Sequence, residues 1–233
     1  MNKEEFQKEL KKINIVLTNH QLEQLENYYQ LLKEENKKYN LTSITDKESV
    51  YLKHFYDSLT ITKIIKIDDQ SICDIGTGAG FPGLVIKIAF PKTKITLVDA
   101  TFKKCNFLNM VIQKLSLENI EVVNSRAEEY SKENREKFEI VTSRAVAPLK
   151  HLLEYSIPLV KVNGHYIVMK SNVTKELQGI EVYERKLFLT KLDTISFSLP
   201  KENSLRTLIK YKKVQKTPLK YPRKYSEIKK KSL

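Results

Sequence analysis

Apolar side chains recur at intervals of three and four positions near the start of the chain. They are Phe6, Leu10, Ile13 and Leu17, followed by Leu22, Leu25, Tyr28, Tyr29 and Leu32. This period predicts two amphipathic helices, with Thr18 and Asn19 as the N-cap of the second. A third helix is expected over residues 46–65. Together the three helices predict an N-terminal helical cap over residues 1–68.

From Ser71 the pattern changes to short apolar runs separated by stretches of helical period. The runs SICDI, KITLVDA, IEVVNS, FEIVTS and GHYIVMK predict buried strands. Helical stretches are expected to begin near Pro82, Phe102, Glu128 and Ala147. Strands that alternate with helices in this way predict βαβ units with right-handed crossovers. The fold class is therefore α/β, with a doubly wound, Rossmann-like parallel sheet.

Two later apolar runs, LFLTKLDTISFSLP and SLRTLIKYKKV, are joined by the polar turn PKENS. They predict an antiparallel hairpin at one edge of the sheet. The sheet domain is expected over residues 69–214 and a basic tail over 215–233, with cap and tail as extensions of one domain.

Composition limits the class of protein. The chain has 233 residues, of which 41% are apolar, enough for a sizeable core. It contains no run of about 18 apolar residues, and its start, MNKEEFQKEL, lacks the apolar stretch of a signal peptide. We therefore expect a cytoplasmic protein without a membrane span. Cys73 and Cys105 are too few for a disulfide framework, and their spacing from the histidines indicates no metal site.

The positive charge of the chain is concentrated at its C-terminal end. From Lys210 to Leu233 there are ten Lys or Arg residues and one acid, Glu227, so this segment carries +9 of the total +13. Such a block suits a polyanion, with nucleic acid as the first interpretation and an anionic membrane surface as the second. A solvated, partly disordered tail is the alternative.

The stretch CDIGTGAGFPG, from Cys73 to Gly83, holds four of the six glycines of the chain. Glycine allows positive φ and close approach of a ligand to the main chain. A P-loop would need Lys and then Ser or Thr after its last glycine, but Gly83 is followed by Leu84. The dinucleotide pattern GxGxxG fits from Gly78, but this start is three residues beyond the strand end at Ile75.

A third interpretation of the loop is D-x-G-x-G-x-G directly after a strand, the pattern that holds S-adenosylmethionine. Asp74 places negative charge near a ligand with a sulfonium and an ammonium group, whereas it would repel a pyrophosphate. Gly76 and Gly78 are expected to admit the cofactor. Pro82 suits the first turn of a helix whose N-terminal amides would meet the methionine carboxylate. The loop and the edge hairpin favour a class I methyltransferase.

Further polar residues follow the neighbouring strands. Asp99 ends the second strand, 23 positions after Gly76, where open α/β sheets hold a ribose with a carboxylate. Ala127 and Glu128 follow the third strand and are expected to contact adenine, and Arg144 ends the fourth. Because the carboxyl ends of parallel strands share one edge of the sheet, these residues are expected to lie together.

These residues resemble the glucose-inhibited division protein B family of ribosomal RNA small-subunit methyltransferases. The matching segments run in family order over most of the chain: NLTSI, HFYDSL, CDIGTGAGFPG, LVDATFKKCNFL, SRAEEY, SRAVAPL and YPRK. The resemblance implies cofactor contacts at Gly76, Phe81, Ala127, Glu128 and Arg144. It also implies methylation of N7 of a guanine in the decoding-centre hairpin of bacterial 16S rRNA.

Two positions depart from the family pattern. Ala100 stands where the family often has Ser, and Lys104 where it often has Arg, so a hydroxyl and a guanidinium fork are lost while charge is kept.

The implied reaction needs no general base, because guanine N7 has an in-plane lone pair and no proton. We expect catalysis by alignment and by accommodation of moving positive charge, and we assign no catalytic residue. The major-groove edge of A-form RNA is deep and narrow, so the target base is expected in a loop or flipped out. Asn40 and His54 are expected either at the mouth of the active site or as a helix cap and a packed side chain.

The basic tail, interleaved with Tyr211, Tyr221 and Tyr225, predicts phosphate contacts and stacking surfaces for rRNA. We expect a monomer that acts on 16S rRNA, either free or within the small ribosomal subunit or an assembly precursor. Two alternatives stay open at this point. One is an S-adenosylmethionine-dependent methyltransferase of a small molecule or a protein, and the other is a nonenzymatic RNA-binding protein.

Overall fold

A computed structural model of the chain describes residues 1–144, 146–202, 204–231 and 233. Its centre is one seven-stranded sheet. The strands are β1 (Ser71–Ile75), β2 (Lys94–Asp99), β3 (Ile120–Asn124), β4 (Phe138–Arg144), β5 (Val160–Lys170), β6 (Leu189–Ser198) and β7 (Leu205–Lys213).

The strand order is β3-β2-β1-β4-β5-β7-β6. The first five strands of the chain pair in parallel, and β7 pairs antiparallel with both β5 and β6. This confirms the predicted parallel sheet with an antiparallel edge hairpin. From β1 the next strands, β2 and β3, are added on one side, and β4 and β5 are added on the other. The carboxyl ends of β1, β2 and β4 therefore flank the crevice in which folds of this kind bind their ligands.

Successive residues of a strand point to opposite faces of the sheet, and both faces are covered. Ile72 and Ile140 belong to the apolar core on one face, and their chain neighbours Cys73 and Val141 belong to the core on the other. This double burial explains why the strands are almost continuously apolar in the sequence.

The helices fill these two layers. The α-helices of the described residues are α1 (Lys3–Lys12), α2 (Asn19–Tyr39), α3 (Lys47–Val50), α4 (Asp57–Leu59), α5 (Gly83–Ala89), α6 (Phe102–Lys114), α7 (Ala127–Glu133), α8 (Leu149–Ser156), α9 (Glu181–Leu187) and α10 (Tyr225–Lys230). Side chains of α1 to α6 join the core on the first face, and side chains of α7 to α10 join the core on the second. None of these helices is both long and apolar enough to cross a membrane.

The second cap helix begins at the predicted N-cap, Thr18. Asn2 and Thr18 are N-caps that form capping boxes with Glu5 and Gln21. The third helix, expected over 46–65, is a run of short pieces: α3, a π-helical turn Tyr51–Tyr56, α4 and a 3-10 turn Thr60–Lys63. The π-helical turn lies where His54 and Asp57 face the interior, and both are buried.

The C-terminal tail is folded onto the second face, which corrects the solvated alternative. Arg135 donates hydrogen bonds to the carbonyls of Thr217 and Tyr221. Arg223 forms a bidentate pair with Glu154, with both N–O distances 2.7 Å, and the Glu154 side chain is fully buried. The positive charge of Arg223 therefore pairs with a buried carboxylate and anchors the tail.

Candidate active site

The glycine loop joins β1 to α5 and is held from below by Asp74. Asp74 Oδ2 accepts hydrogen bonds from Thr77 Oγ1 at 2.7 Å and from the Gly83 amide at 2.8 Å. The side chain is fully buried, which raises its pKa to about 6 against the opposing effect of these hydrogen bonds. Asp74 lies beneath the loop and lines neither of the two cavities described below, so any effect of its charge on a ligand acts through the loop. The Gly83 amide, at the start of α5, is already bound to Asp74.

Two glycines shape the upper side of the loop. Gly76 and Gly78 have φ of +67° and +62°, a region that strains any side chain. A Cβ at Gly78 would find only the Gly76 carbonyl oxygen within 4 Å, at 3.9 Å, so open space lies above this residue. The Gly78 amide donates to Asp99 Oδ2 at 2.9 Å. The loop is therefore fixed against the end of β2 with its main chain facing a free volume.

Two cavities meet at Gly76. The one beside β2 and β3, which we call the ribose cavity, has a volume of about 290 Å³ and is lined by Asp99, Ala127, Glu128 and Tyr225 among others. The carboxylates of Asp99 and Glu128 line it although both residues are only 7% exposed. Buried acceptors of this kind suit ribose hydroxyls and an exocyclic amine. The structure thus brings Asp99, Ala127 and Glu128 together as predicted.

The other cavity, which we call the target cleft, has a volume of about 380 Å³ and lies towards β4 and β5. Gly76, Gly78, Phe81, His54 and Arg144 are on its wall. The His54 ring stacks on Phe81 with the ring centres 4.2 Å apart and the planes 17° apart. The Arg144 guanidinium lies 5.2 Å from the centre of the Phe81 ring. An aromatic floor flanked by a cation suits a planar base.

Arg144 is held by a carboxylate that the sequence analysis did not single out. Asp57 Oδ2 lies 3.2 Å from Arg144 Nη1 and 2.9 Å from Arg206 Nε. The side chains are 14%, 6% and 17% exposed for Arg144, Asp57 and Arg206 respectively. One buried carboxylate therefore orients two guanidinium groups on the wall of the target cleft.

His54 is neutral in this setting. Burial and the nearby Arg144 lower its pKa to about 3. A guanidinium only donates, so His54 Nδ1 accepts from Arg144 Nη2 at 3.2 Å, which leaves the proton on Nε2. His54 Nε2 then donates to Thr42 Oγ1 at 2.9 Å. Both nitrogens are engaged, so His54 is part of the wall and not a free base.

Of the other residues singled out in the sequence, two lie where one of the interpretations placed them and two do not. His54 lies on the cleft wall, and Asn40 is the C-cap of α2 with φ of 49°, as the helix-cap interpretation predicted. Tyr211 and Tyr221 were expected to stack on RNA, but they are buried at 0% and 5% exposure. That expectation is wrong for both, because they pack into the apolar core on the second face.

Sequence reasoning missed four residues of the site. Asp57 and Arg206 carried no local signal, since their contact is made only by the fold. Tyr28 belongs to the apolar stripe of α2, but its hydroxyl donates to the Ala79 carbonyl and so supports the glycine loop. Tyr225, which was expected to offer a stacking surface to RNA, is 39% exposed and also lines the ribose cavity, a position that the sequence did not indicate. For Tyr28 the only signal in the sequence was a hydroxyl-bearing ring in an apolar stripe, where Phe would have served for packing alone.

A mostly parallel seven-stranded sheet with a D-x-G-x-G-x-G loop at the ends of its central strands defines a class I S-adenosylmethionine-dependent methyltransferase fold. A solved S-adenosylmethionine-dependent methyltransferase from Aquifex aeolicus has the same fold, with a TM-score of 0.54 and 15% identity over 75% of this chain and 97% of that one. The family model of rRNA small subunit methyltransferase G (GidB) matches residues 21–208, and the chain belongs to this family.

Relatives with the same description span nearly the whole chain. Ribosomal RNA small subunit methyltransferase G of Caldanaerobacter subterraneus subsp. tengcongensis is 47% identical, covering 95% of this chain and 94% of the relative. The protein of the same description from Bacillus cytotoxicus is 46% identical, covering 96% and 95%. The resemblance found from the sequence motifs is therefore confirmed, and with it the expectation of an rRNA methyltransferase.

Proposed function

We propose that the protein transfers the methyl group of S-adenosylmethionine to N7 of one guanine in bacterial 16S rRNA. The observation that carries the proposal is the meeting of the ribose cavity and the target cleft at Gly76. One cavity offers carboxylates to a nucleoside, and the other offers a stacked aromatic wall to a base. The family supports ribosomal RNA as the substrate, and we propose that the reaction takes place in the cytoplasm.

The residues fit the cofactor. The open volume above Gly78 is a cradle that a side chain would fill, and Asp99 and Glu128 supply acceptors for a ribose and an adenine amine. S-adenosylmethionine supplies a methyl group on a sulfonium when bound. Asp99 and Glu128 would hold the nucleoside end, Gly76 and Gly78 the middle, and Phe81 the end that faces the target cleft. The buried carboxylate of Asp74 favours a cation in the loop above it.

The chain's own residues perform alignment and not proton transfer. Phe81 and neutral His54 stack face to face in the wall of the target cleft, and we propose that the guanine lies against this wall with N7 turned towards the loop. Because N7 has no proton to lose, the engaged nitrogens of His54 are no obstacle. A fixed orientation of the base relative to the methyl group lowers the barrier to transfer. We keep the expectation that no side chain acts as a general base.

Carboxylates offset most of the positive charge on the wall of the target cleft, which suits a base that becomes positively charged. Each lysine or arginine on its wall lies within 4 Å of a carboxylate. The pairs are Lys53 with Glu202 at 2.9 Å, Lys170 with Glu176 at 2.7 Å, and Arg144 and Arg206 with Asp57. Unpaired cations at the same places would oppose the charge that develops on the base.

The tail contributes to RNA binding through its exposed lysines. Lys213 is fully buried and Arg223 is paired with Glu154, so these two do not face RNA. The tail lysines that are exposed are Lys216, Lys220, Lys224, Lys229, Lys230 and Lys231. About six phosphate contacts to single-stranded RNA correspond to a slope near −4 of log affinity against log salt.

Truncation would remove the anchors of the tail together with its charge, so substitution is the better test. The triple variant K229Q/K230Q/K231Q is expected to reduce the salt slope by about 2. The matched control K3Q/K8Q/K11Q removes three exposed lysines from α1 and is expected to leave the slope unchanged. Equal slopes for the two variants would remove the tail from the RNA-binding surface.

The function is tested by methyl transfer from labelled S-adenosylmethionine. Free 16S rRNA and small ribosomal subunits are prepared from a strain that lacks the enzyme, and the modified base is mapped by cleavage at N7-methylguanine. We expect label at one guanine, and the better of the two substrates shows whether the enzyme acts on free RNA or on a particle. Label in proteins or small metabolites, and none in rRNA, would contradict the proposal. Light scattering on the same preparation tests the expected monomer.

A further inference from the structure

The side chain of Phe102 is largely exposed to solvent near the glycine loop. It is 65% exposed and is the first residue of α6. Its chain neighbour Thr101 donates its amide to Asp99 Oδ1 at 2.8 Å, and Asp99 Oδ2 holds Gly78. The backbone that carries Phe102 is thus tied to the loop that shapes both cavities. Its position is fixed, although its ring has little apolar contact.

Tyr39 is a second exposed aromatic residue, with 44% of its surface accessible. It is the last residue of α2, and Asn40 turns the chain so that Leu41 and Thr42 reach the wall of the target cleft. Lys103 Nζ lies 5.8 Å from the centre of the Tyr39 ring. Since Lys103 follows Phe102, this contact joins α2 to α6. We call Tyr39, Phe102 and Lys103 the aromatic rim.

The charge around the rim is positive. Lys103 has no carboxylate within 4 Å among residues 1–144, 146–202, 204–231 and 233. Lys37 is exposed two residues before the end of α2, and Lys104 lines the ribose cavity. Lys38 is already paired with Glu35 at 2.6 Å. Exposed aromatic rings interleaved with free cations match unpaired nucleotides, whose bases stack and whose phosphates pair with lysine.

The alternatives fit less well. Two rings cover far less than the roughly 800 Å² per partner of a stable protein interface. An A-form duplex presents no base face for stacking.

We propose that the aromatic rim stacks unpaired nucleotides of the rRNA that flank the target guanine, with Lys103 on a phosphate between them. This inference rests on the proposed use of rRNA as substrate. The rim lies beside both cavities, so stacked neighbours would hold the displaced guanine at the target cleft. In this arrangement the target cleft binds the guanine and the aromatic rim binds its unpaired neighbours. The exposed lysines of the tail then add contacts to further phosphates.

The test compares F102A and Y39A with wild-type protein in filter binding of 16S rRNA and in methyl transfer at varied RNA concentration. Stacking of one base is worth about 1–3 kcal/mol, so each variant is expected to weaken RNA binding about 5- to 150-fold. KM for RNA should rise, while kcat at saturating RNA and the Kd of S-adenosylmethionine stay near wild type. F102W should retain binding within about twofold, because a larger ring still stacks.

V16A and L192A are matched controls, because Val16 and Leu192 are 76% and 48% exposed and lie outside both the cavities and the basic tail. Wild-type RNA affinity in both F102A and Y39A would overturn the inference while leaving the proposed function intact. Equal competition by duplex RNA, or weaker cofactor binding in F102A, would also overturn it. Wild-type protein that methylates no RNA would refute the proposed function and this inference together.

Discussion

The variant D57N tests whether one buried carboxylate holds the wall of the target cleft together. Asp57 Oδ2 lies 3.2 Å from Arg144 Nη1 and 2.9 Å from Arg206 Nε, with the Asp57 side chain 6% exposed. At an effective dielectric constant of about 20, each such pair attracts by about 5 kcal/mol before desolvation is subtracted. Asn keeps the volume but removes the charge that both guanidinium groups share. We expect the free energy of unfolding to fall by about 3–5 kcal/mol.

The assay is urea unfolding followed by circular dichroism. R206Q removes the more exposed of the two arginines and is expected to cost about 1 kcal/mol. In D57N/R206Q the repulsion between the guanidinium groups is gone, so the double variant should lose about 1–3 kcal/mol less than the sum of the single losses. D68N is the matched control, since Asp68 is 54% exposed and lies 3.7 Å from Lys66.

Two results would refute this reasoning. D57N that loses no more stability than D68N would show that Asp57 does not hold the arginines. Single losses that simply add in the double variant would show that Arg144 and Arg206 do not share one counter-charge.

Three further outcomes are expected. G78A should weaken S-adenosylmethionine binding at least about tenfold, as measured by calorimetry. In the control G179A, where φ is +71° and the residue lies away from the cavities, the free energy of unfolding should fall by about 1–2 kcal/mol from left-handed backbone strain, with cofactor binding unchanged. The Asp74 pKa is raised from 3.8 to about 6, so its stabilising contribution is full only below pH 3.8 and is lost as pH rises through 6. Relative to D74N, wild-type protein should lose about 2.5 kcal/mol of unfolding free energy between pH 4 and 8, and parallel curves would contradict this. Y225A should weaken cofactor binding about fivefold while Y225F does not, and unchanged binding in Y225A would remove this ring from the ribose cavity.

The sheet and the ligand end of the site followed from local sequence patterns. Apolar runs marked the strands because both faces of the sheet are buried, and the glycine loop identified the switch point at β1. Asp99 and Glu128 could be placed together because parallel strands bring their carboxyl ends to one edge. Each of these inferences depends only on the order and direction of the strands and not on the positions of individual side chains.

The wall of the target cleft could not be predicted in the same way. Asp57 and Arg206 lie 149 positions apart and meet only because the cap packs beside β7. Nor does charge alone show that Arg223 is taken by buried Glu154. For Tyr211 a signal was present: it alternates with Lys210 and Lys212 in β7, and period-two alternation places it on an inner face. The basic composition of the segment obscured that pattern.

The most direct test of the account is the identity of the modified nucleoside. Free 16S rRNA and small subunits lacking the modification are treated with wild-type protein or with G78A, digested to nucleosides and fragments, and analysed by mass spectrometry. The account predicts one N7-methylguanosine per rRNA, in a single unpaired segment, formed by wild-type protein and greatly reduced with G78A. Methylation at another atom or base, at many guanines, or on no RNA while S-adenosylmethionine still binds, would contradict it.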